Sequence, residues 1–328
     1  MSGRRPAPLY VVSLGGNALL RRGESGTIEE QFEHARACTA QISRMLREGR
    51  RVVVTHGNGP IVGNIVIRNE AARNTVPPMP LYICDADSEG GIGFMIQQTL
   101  YNHLRRHDRA RDVVTLITQV VVDPGDPAFG EPTKPIGPWY TAAEAARLDA
   151  EKGWRVVRAD TGGAEDRARA YRRVVPSPRP LRIVEAAVIR RLAREGVVVI
   201  AAGGGGVPVA EGPGGELRGV EAVVDKDLAT AVLAQELGAE AVLILTDVDR
   251  VYLDFGTPHR RGLDEVGPAE LREHRARGHF PPGSMGPKID AALEFLEGGG
   301  CEVVITSPEL AVEAMQGRAG TRIVRKIR

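Results

Sequence analysis

Apolar and polar positions along the chain alternate between two periods. Short apolar runs at Leu9–Leu14, 51–55, 113–122, 197–202, Ala241–Leu245, Glu302–Thr306 and Thr321–Val324 read as buried strands. Between them, apolar residues recur at helical spacing. Over 28–48 these are Ile28, Phe32, Ala35, Ile42, Met45 and Leu46, and Gly49 supplies a natural stop. Residues 92–104, 183–194, 227–237, 288–296 and 309–315 read as further helices. Strands separated by such helices predict an α/β fold. The expected architecture is a three-layer αβα sandwich with a mostly parallel central sheet. Ligands of such sheets sit beyond the carboxyl ends of the strands.

The rhythm breaks between about 123 and 170. Pro124, Pro127, Pro132, Pro135 and Pro138 fall there, followed by a short helical pattern and a charged stretch. The segment returns to regular structure at Val174-Val175, so it reads as a protruding subdomain and not as a linker. The full length of 328 residues fits one large α/β domain or two lobes.

Composition narrows the function classes. The net charge is +1, which gives no bulk electrostatic reason for nucleic-acid or anionic-membrane binding. The longest uncharged run, 196–210, is too short to span a bilayer and holds five glycines and a proline. Residues 1–8 carry two arginines with no apolar core behind them, so no signal peptide is expected. Cys38, Cys84 and Cys301 are odd in number and far apart, which points to a reducing, cytoplasmic setting and away from disulfides or zinc. Only five lysines stand beside 38 arginines. Where Lys persists in a Gly- and Asp-rich loop, a compact ammonium is the expected need.

The loops at the predicted strand ends carry the chemistry. Gly15-Gly16-Asn17 suits either a tight turn or a close approach of backbone N–H groups to an anion. His56-Gly57-Asn58-Gly59-Pro60, with Gly63, is a near relative of the dinucleotide fingerprint. That fingerprint needs an acid-bearing second strand about 20 residues on. Here residues 73–80 are rich in proline instead, so the dinucleotide reading fails. His56 reads better as a packed histidine than as a catalytic base. Gly203 to Gly206 offers backbone that could lie against a ligand, or a hinge. Asp225-Lys226-Asp227 opens a helix with two acids around a lysine. The strand before Thr246-Asp247-Val248-Asp249 ends in acids, and Tyr252 follows. Ser284-Met285-Gly286-Pro287-Lys288 brings a cation to a helix start, which an intervening polyphosphate would favour. No Walker A, protein-kinase or Gly-x-Ser-x-Gly motif occurs.

In this order the loops resemble the carbamate kinases, a branch of the amino-acid kinase superfamily. The resemblance runs from about Leu9 to Val324. It includes the blocks Lys134-Pro135-Ile136-Gly137-Pro138-Trp139-Tyr140 and Tyr171-Arg172-Arg173-Val174-Val175-Pro176-Ser177-Pro178, which are specific to this branch. It implies a cytoplasmic homodimer that interconverts carbamate plus ATP and carbamoyl phosphate plus ADP. Mg²⁺ would be held mainly by the nucleotide phosphates. Residues 1–180 would bind the phosphoryl acceptor, with the protruding subdomain at 123–170 carrying Lys134 over the site, and 181–328 would bind the nucleotide. Lys134, Lys226 and Lys288, with Asp227 orienting them, would be catalytic. Gly15, Gly16, Asn17, Gly57, Asn58 and Gly59 would hold the acceptor and γ-phosphate. Gly204, Gly205, Asp225, Asp247, Asp249, Tyr252, Met285 and Gly286 would lie at the nucleotide. The chain departs from the branch pattern at Ile61, where Gln is usual, at Ser88-Glu89-Gly90-Gly91, and at residues 160–164. Ile61 and Glu89 are expected near the acceptor. They keep open a sister kinase of another small carboxylate or phosphate, beside a nucleotide-binding regulator without catalysis.

Overall fold

A computed structural model of the chain describes residues 7–16, 24, 26–106, 111–158, 169–281 and 283–325. Its main sheet has eight strands. From one edge to the other they are Glu265–Val266, Thr321–Val324, Glu302–Thr306, Ala241–Leu245, Leu9–Leu14, Arg51–His56, Val198–Ile200 and Val113–Thr115. Only the pairing of Glu302–Thr306 with Thr321–Val324 is antiparallel. Val198–Ile200 lies between two strands from the first half of the chain, so one sheet runs across residue 180 without a break.

The strands are apolar throughout because both faces are covered. Val11, Val53, Val199, Val242, Ile244, Val303 and Ile305 enter one core with helices Ala186–Arg194, Lys226–Leu237 and Met285–Glu297. The alternate residues Val12, Leu14, Val52, Val54, Ile200, Leu243, Leu245 and Val304 enter the other, with helices Ile28–Arg47 and Leu81–Arg105. This is the expected three-layer αβα sandwich. Helix Ile28–Arg47 starts on a reciprocal cap: Thr27 Oγ1 accepts from Glu30 N at 3.3 Å, and Thr27 N donates to Glu30 Oε2 at 2.9 Å.

Three boundaries differ from the sequence reading, each for a physical reason. The apolar run 113–122 is not one strand. Thr118 turns it out of the main sheet by donating to Leu116 O at 2.8 Å and accepting from Ala202 N at 2.9 Å. Gln119–Val122 then joins a separate four-stranded sheet with Val207–Glu211, Leu217–Gly219 and Pro180–Ile183. Residues 183–194 are likewise divided, since Ile183 ends a strand and the helix begins at Ala186. The helix expected at 92–104 begins at Leu81. Its first turns bury Asp85, Ser88 and Glu89, so apolar periodicity could not reveal them.

The irregular segment forms a three-stranded antiparallel sheet of Lys134–Thr141, Arg169–Val175 and Val156–Arg158, crossed by helix Ala142–Lys152. Gly63 brings this small sheet down onto helix Ile61–Ala71. A Cβ at Gly63 would stand 2.4 Å from Gly137 Cα and 2.5 Å from Gly137 N. Gly63→Ala is therefore expected to force backbone apart and destabilise the protein by about 1–3 kcal/mol. Urea unfolding checks it, and a stability equal to the parent's would refute the contact.

Glu89 braces the glycine turn at 203–205. Its Oε1 accepts from Gly203 N at 2.8 Å and its Oε2 from Thr118 N at 3.1 Å. Burial nevertheless pushes its carboxyl from 4.5 up to about 8, against the pull of those two N–H groups. Between these values the folded protein holds a proton that the unfolded chain has released. Stability should then fall as pH rises from about 4.5 to about 8. Glu89→Gln cannot ionise and should lose less stability than the parent between pH 5 and pH 8. Denaturant titrations at the two pH values decide this, and equal losses would count against a neutral buried Glu89.

Candidate active site

Four backbone segments meet beyond the carboxyl ends of the central strands, and glycine lets them meet. Gly15 N donates to Leu245 O and Gly57 N to Leu14 O, each at 2.9 Å. A Cβ on Gly57 would lie 2.9 Å from Gly16 N, and one on Gly16 would lie 2.8 Å from Gly59 O. The Gly59–Pro60 peptide is cis. Helices Lys226–Leu237 and Met285–Glu297 point their N-terminal ends at the same place.

There the three loop lysines converge on one cleft of about 280 Å³. Lys226 Nζ bonds Asp227 Oδ1 at 2.5 Å and donates to Ser13 Oγ at 2.8 Å. Lys288 Nζ reaches the other oxygen of the same carboxylate at 3.2 Å and also donates to Ser284 O at 3.3 Å. Lys134, arriving from the small sheet, donates to Asp225 Oδ2 at 2.6 Å. The other oxygen of Asp225 caps helix Lys226–Leu237 by accepting from Asp227 N at 2.9 Å.

Burial dominates the electrostatics here. It acts to raise the Asp227 carboxyl, but Lys226 and Lys288 more than reverse this and hold it at about 2. Burial lowers Lys226 below its ordinary value, with Asp227 pulling the other way and Lys288 adding to the fall. The lining holds ammonium groups on both sides of a fixed carboxylate, under two helix N-termini. Such a site suits a compact, highly charged anion.

A second cavity of about 270 Å³ adjoins the first and shares Gly16, Ser284 and Lys288 with it. Its walls include Asp247, Tyr252, Phe255, Phe280 and Met285, so it is more apolar and aromatic. Asp249 stands behind it, accepting from Tyr252 Oη at 2.7 Å. An aromatic pocket opening onto a cationic cleft has the form of a nucleotide site, with base and phosphates in separate compartments.

The candidates named from sequence are sorted by these two cavities. Gly57, Asn58, Gly59, Lys134, Asp225, Lys226, Asp227 and Lys288 border the cleft, and Gly15, Asp247, Tyr252 and Met285 border the aromatic cavity. Gly16 borders both. Asn17 lies outside the described residues.

Other candidates are placed as follows. Gly204 and Asp225, expected at the nucleotide, border the cationic cleft, while Gly205 and Gly286 border neither cavity. The glycines at 204 and 205 answer to protein packing. Both have positive φ, and added Cβ atoms would lie 2.3 Å from Asn58 Nδ2 and 2.4 Å from Val224 O. Ile61 and Glu89 also miss both cavities: Ile61 packs against the core and Glu89 is buried behind the glycine turn. His56 is buried too. Burial lowers it to about 4, and its Nδ1 lies 3.0 Å from Gly57 O, so it is a neutral packing histidine.

Two polar residues, Asp85 and Arg172, were not among the site candidates named from sequence. Asn58 Nδ2 donates to Asp85 Oδ1 and Ser88 Oγ, both at 3.2 Å, which fixes the amide at the cleft wall. Burial holds the Asp85 carboxyl well above the ordinary carboxylate range. Arg172 also borders the cleft. A buried acid one turn from a second one, on a helix leading to no loop, was the available signal for Asp85. For Arg172 it was the doubled arginine in a strand.

Comparison with known proteins agrees with this geometry. The sequence profile of the amino acid kinase family matches residues 8–307. Carbamate kinase from Pyrococcus horikoshii is 48% identical over 315 residues, covering 95% of this chain and 98% of that protein. The structure of carbamate kinase from Giardia lamblia bound to AMP-PNP superposes with a TM-score of 0.89 at 41% identity, covering 98% of this chain and 99% of that one. The same protein bound to citric acid gives 0.90 with the same coverage. Matched in sequence and in fold over nearly its whole length, this chain belongs to the amino acid kinase family.

Proposed function

We propose that the chain transfers the γ-phosphoryl group of ATP to carbamate, giving carbamoyl phosphate and ADP, and runs the reverse reaction equally well. The observation that carries this reading is the convergence of Lys134, Lys226 and Lys288, from three separate segments, on one small cleft beside an aromatic cavity. The relatives named carbamate kinase, and the one bound to AMP-PNP, support the choice of acceptor and nucleotide.

Carbamate is already an anion and needs no protein base. Transfer then depends on alignment and charge neutralisation. Lys226 and Lys288, locked to opposite oxygens of Asp227, would flank the phosphoryl group in flight. Lys134 would close over it from the small sheet. Gly15, Gly16, Gly57, Asn58 and Gly59 would present backbone and amide donors to the acceptor and the γ-phosphate. Asp247, Asp249, Tyr252 and Met285 would hold the nucleoside end. Among the described residues no cluster of three or more His, Cys, Asp or Glu is arranged to hold a metal ion. Mg²⁺ would enter as part of MgATP, held mainly by the nucleotide phosphates.

In this reading residues 1–180 serve the acceptor and 181–328 the nucleotide. We place the enzyme in the cytoplasm, where its Cys38, Cys84 and Cys301 stay as thiols, and no described helix is long and apolar enough to cross a membrane. The active form would be a homodimer.

Purified protein given carbamoyl phosphate and MgADP should make ATP, read by a coupled luciferase assay. ATP formed from another small acyl phosphate and not from this one would move the chain to a sister kinase. Tight ATP binding with no transfer would make it a regulator. Lys226→Ala and Lys288→Ala should each lower kcat by about 10²-fold or more, by comparison with the loss of one oxyanion donor. Turnover within about threefold of the parent would remove the lysines from the mechanism.

A further inference from the structure

The three lysines of the cleft each face a carboxylate, and the arginine beside them does not. Arg172 sits on strand Arg169–Val175, in register with Trp139 on one side and Val157 on the other. Its guanidinium carbon lies 5.1 Å from the Trp139 ring centroid, which orients the planar fork. The residue borders the cleft, yet no ion pair or hydrogen bond engages its side chain among the described residues. Its Nε is sealed from solvent with nothing to donate to.

The neighbouring Arg173 shows what a purely architectural arginine does in this sheet. Successive side chains of a strand point to opposite faces. Arg173 turns away and stacks on Trp154 at 3.8 Å, where Lys152 also packs at 4.7 Å and pairs with Glu70. Both arginines stack on a tryptophan, but only Arg172 borders the cleft. A half-buried guanidinium without a partner is costly, and an incoming oxyanion is the chemistry that offsets the cost. The charge count agrees. Lys134, Lys226 and Lys288 against Asp225 and Asp227 leave one net positive charge on the cleft wall, and Arg172 doubles it. Burial lowers the proton affinity of both guanidiniums, so their place relative to the cleft is what separates them.

We propose that Arg172 is a substrate-binding residue, its fork gripping the oxyanion of the acceptor (the carboxyl of carbamate or the acyl phosphate made from it) from the small sheet. This rests on the phosphotransfer reading above and adds the group that recognises the non-nucleotide substrate. Planar, two-pronged recognition of carboxylate or phosphate is what arginine supplies and lysine does not.

The test compares Arg172→Gln and Arg172→Lys with the parent by two measurements. In ATP synthesis from carbamoyl phosphate and MgADP, Arg172→Gln should raise KM for carbamoyl phosphate about tenfold or more and leave KM for MgADP within about twofold. Arg172→Lys keeps the charge, loses the fork and should fall between. The second measurement needs no turnover: inorganic phosphate should raise the melting temperature of the parent, and Arg172→Gln should need about tenfold more phosphate for the same rise. If the parent makes no ATP, the phosphotransfer reading fails and the phosphate titration still decides Arg172. Unchanged KM and unchanged phosphate response in Arg172→Gln would overturn the proposal. So would both KM values rising together with a lowered melting temperature, the mark of a structural role. Should Arg172→Gln fail to fold, Arg172→Lys, which retains a cation over Trp139, carries the same two comparisons.

Discussion

The site depends on a single carboxylate held between two ammonium groups. Asp227 takes Lys226 on one oxygen and Lys288 on the other; the carboxylate is buried and the two lysines are mostly so. Without it, two cations would face each other at the positive ends of two helices, a doubly unfavourable arrangement. Buried ion networks of this kind give little net stability, because desolvation consumes most of the attraction. Their value lies in geometry. Each nitrogen is fixed in direction before any substrate arrives, and the network still carries surplus positive charge. An arriving phosphoryl group finds its counter-charges in place and has no solvent shell to reorganise.

That carboxylate can do its work only because the loops around it come unusually close. Gly16 and Gly57 bring two strand ends into backbone contact, and Gly63 lowers the small sheet so that Lys134 reaches Asp225. Behind them a neutral layer supports the charged one. Asn58 is fixed by Asp85 and Ser88, and the glycine turn at 203–205 is tied to Glu89. Charged groups face the cleft, and acids whose burial disfavours ionisation stand one layer further in.

Much of this was legible in the sequence. The αβα sandwich followed from two periods of hydrophobicity, and the cleft lysines followed from their rarity and their place in glycine-rich loops. What stayed hidden has a common cause: a polar residue used where pattern reading expects an apolar one, or the reverse. Thr118 bends a continuous apolar run into two sheets by hydrogen bonds, and hydrophobicity does not register those. Asp85 and Glu89 are core residues of a helix whose start therefore lacked periodicity. Gly204 and Gly205 looked like a ligand cradle and are glycine because Asn58 and Val224 leave no room for more. Arg172 stood in a branch-specific block beside Arg173, and the linear string did not say which of the two borders the cleft.

The scarcity of primary amines gives the fold an unplanned transparency to chemistry. Among the described lysines, Lys152 is sandwiched between Glu70 and Trp154, and the other three all line the cleft. Among the described residues, a mild acylating reagent finds only Lys152 outside that cleft. Mass-spectrometric footprinting of amines, usually a blurred average over a protein's exterior, would here report the occupancy of one small chamber.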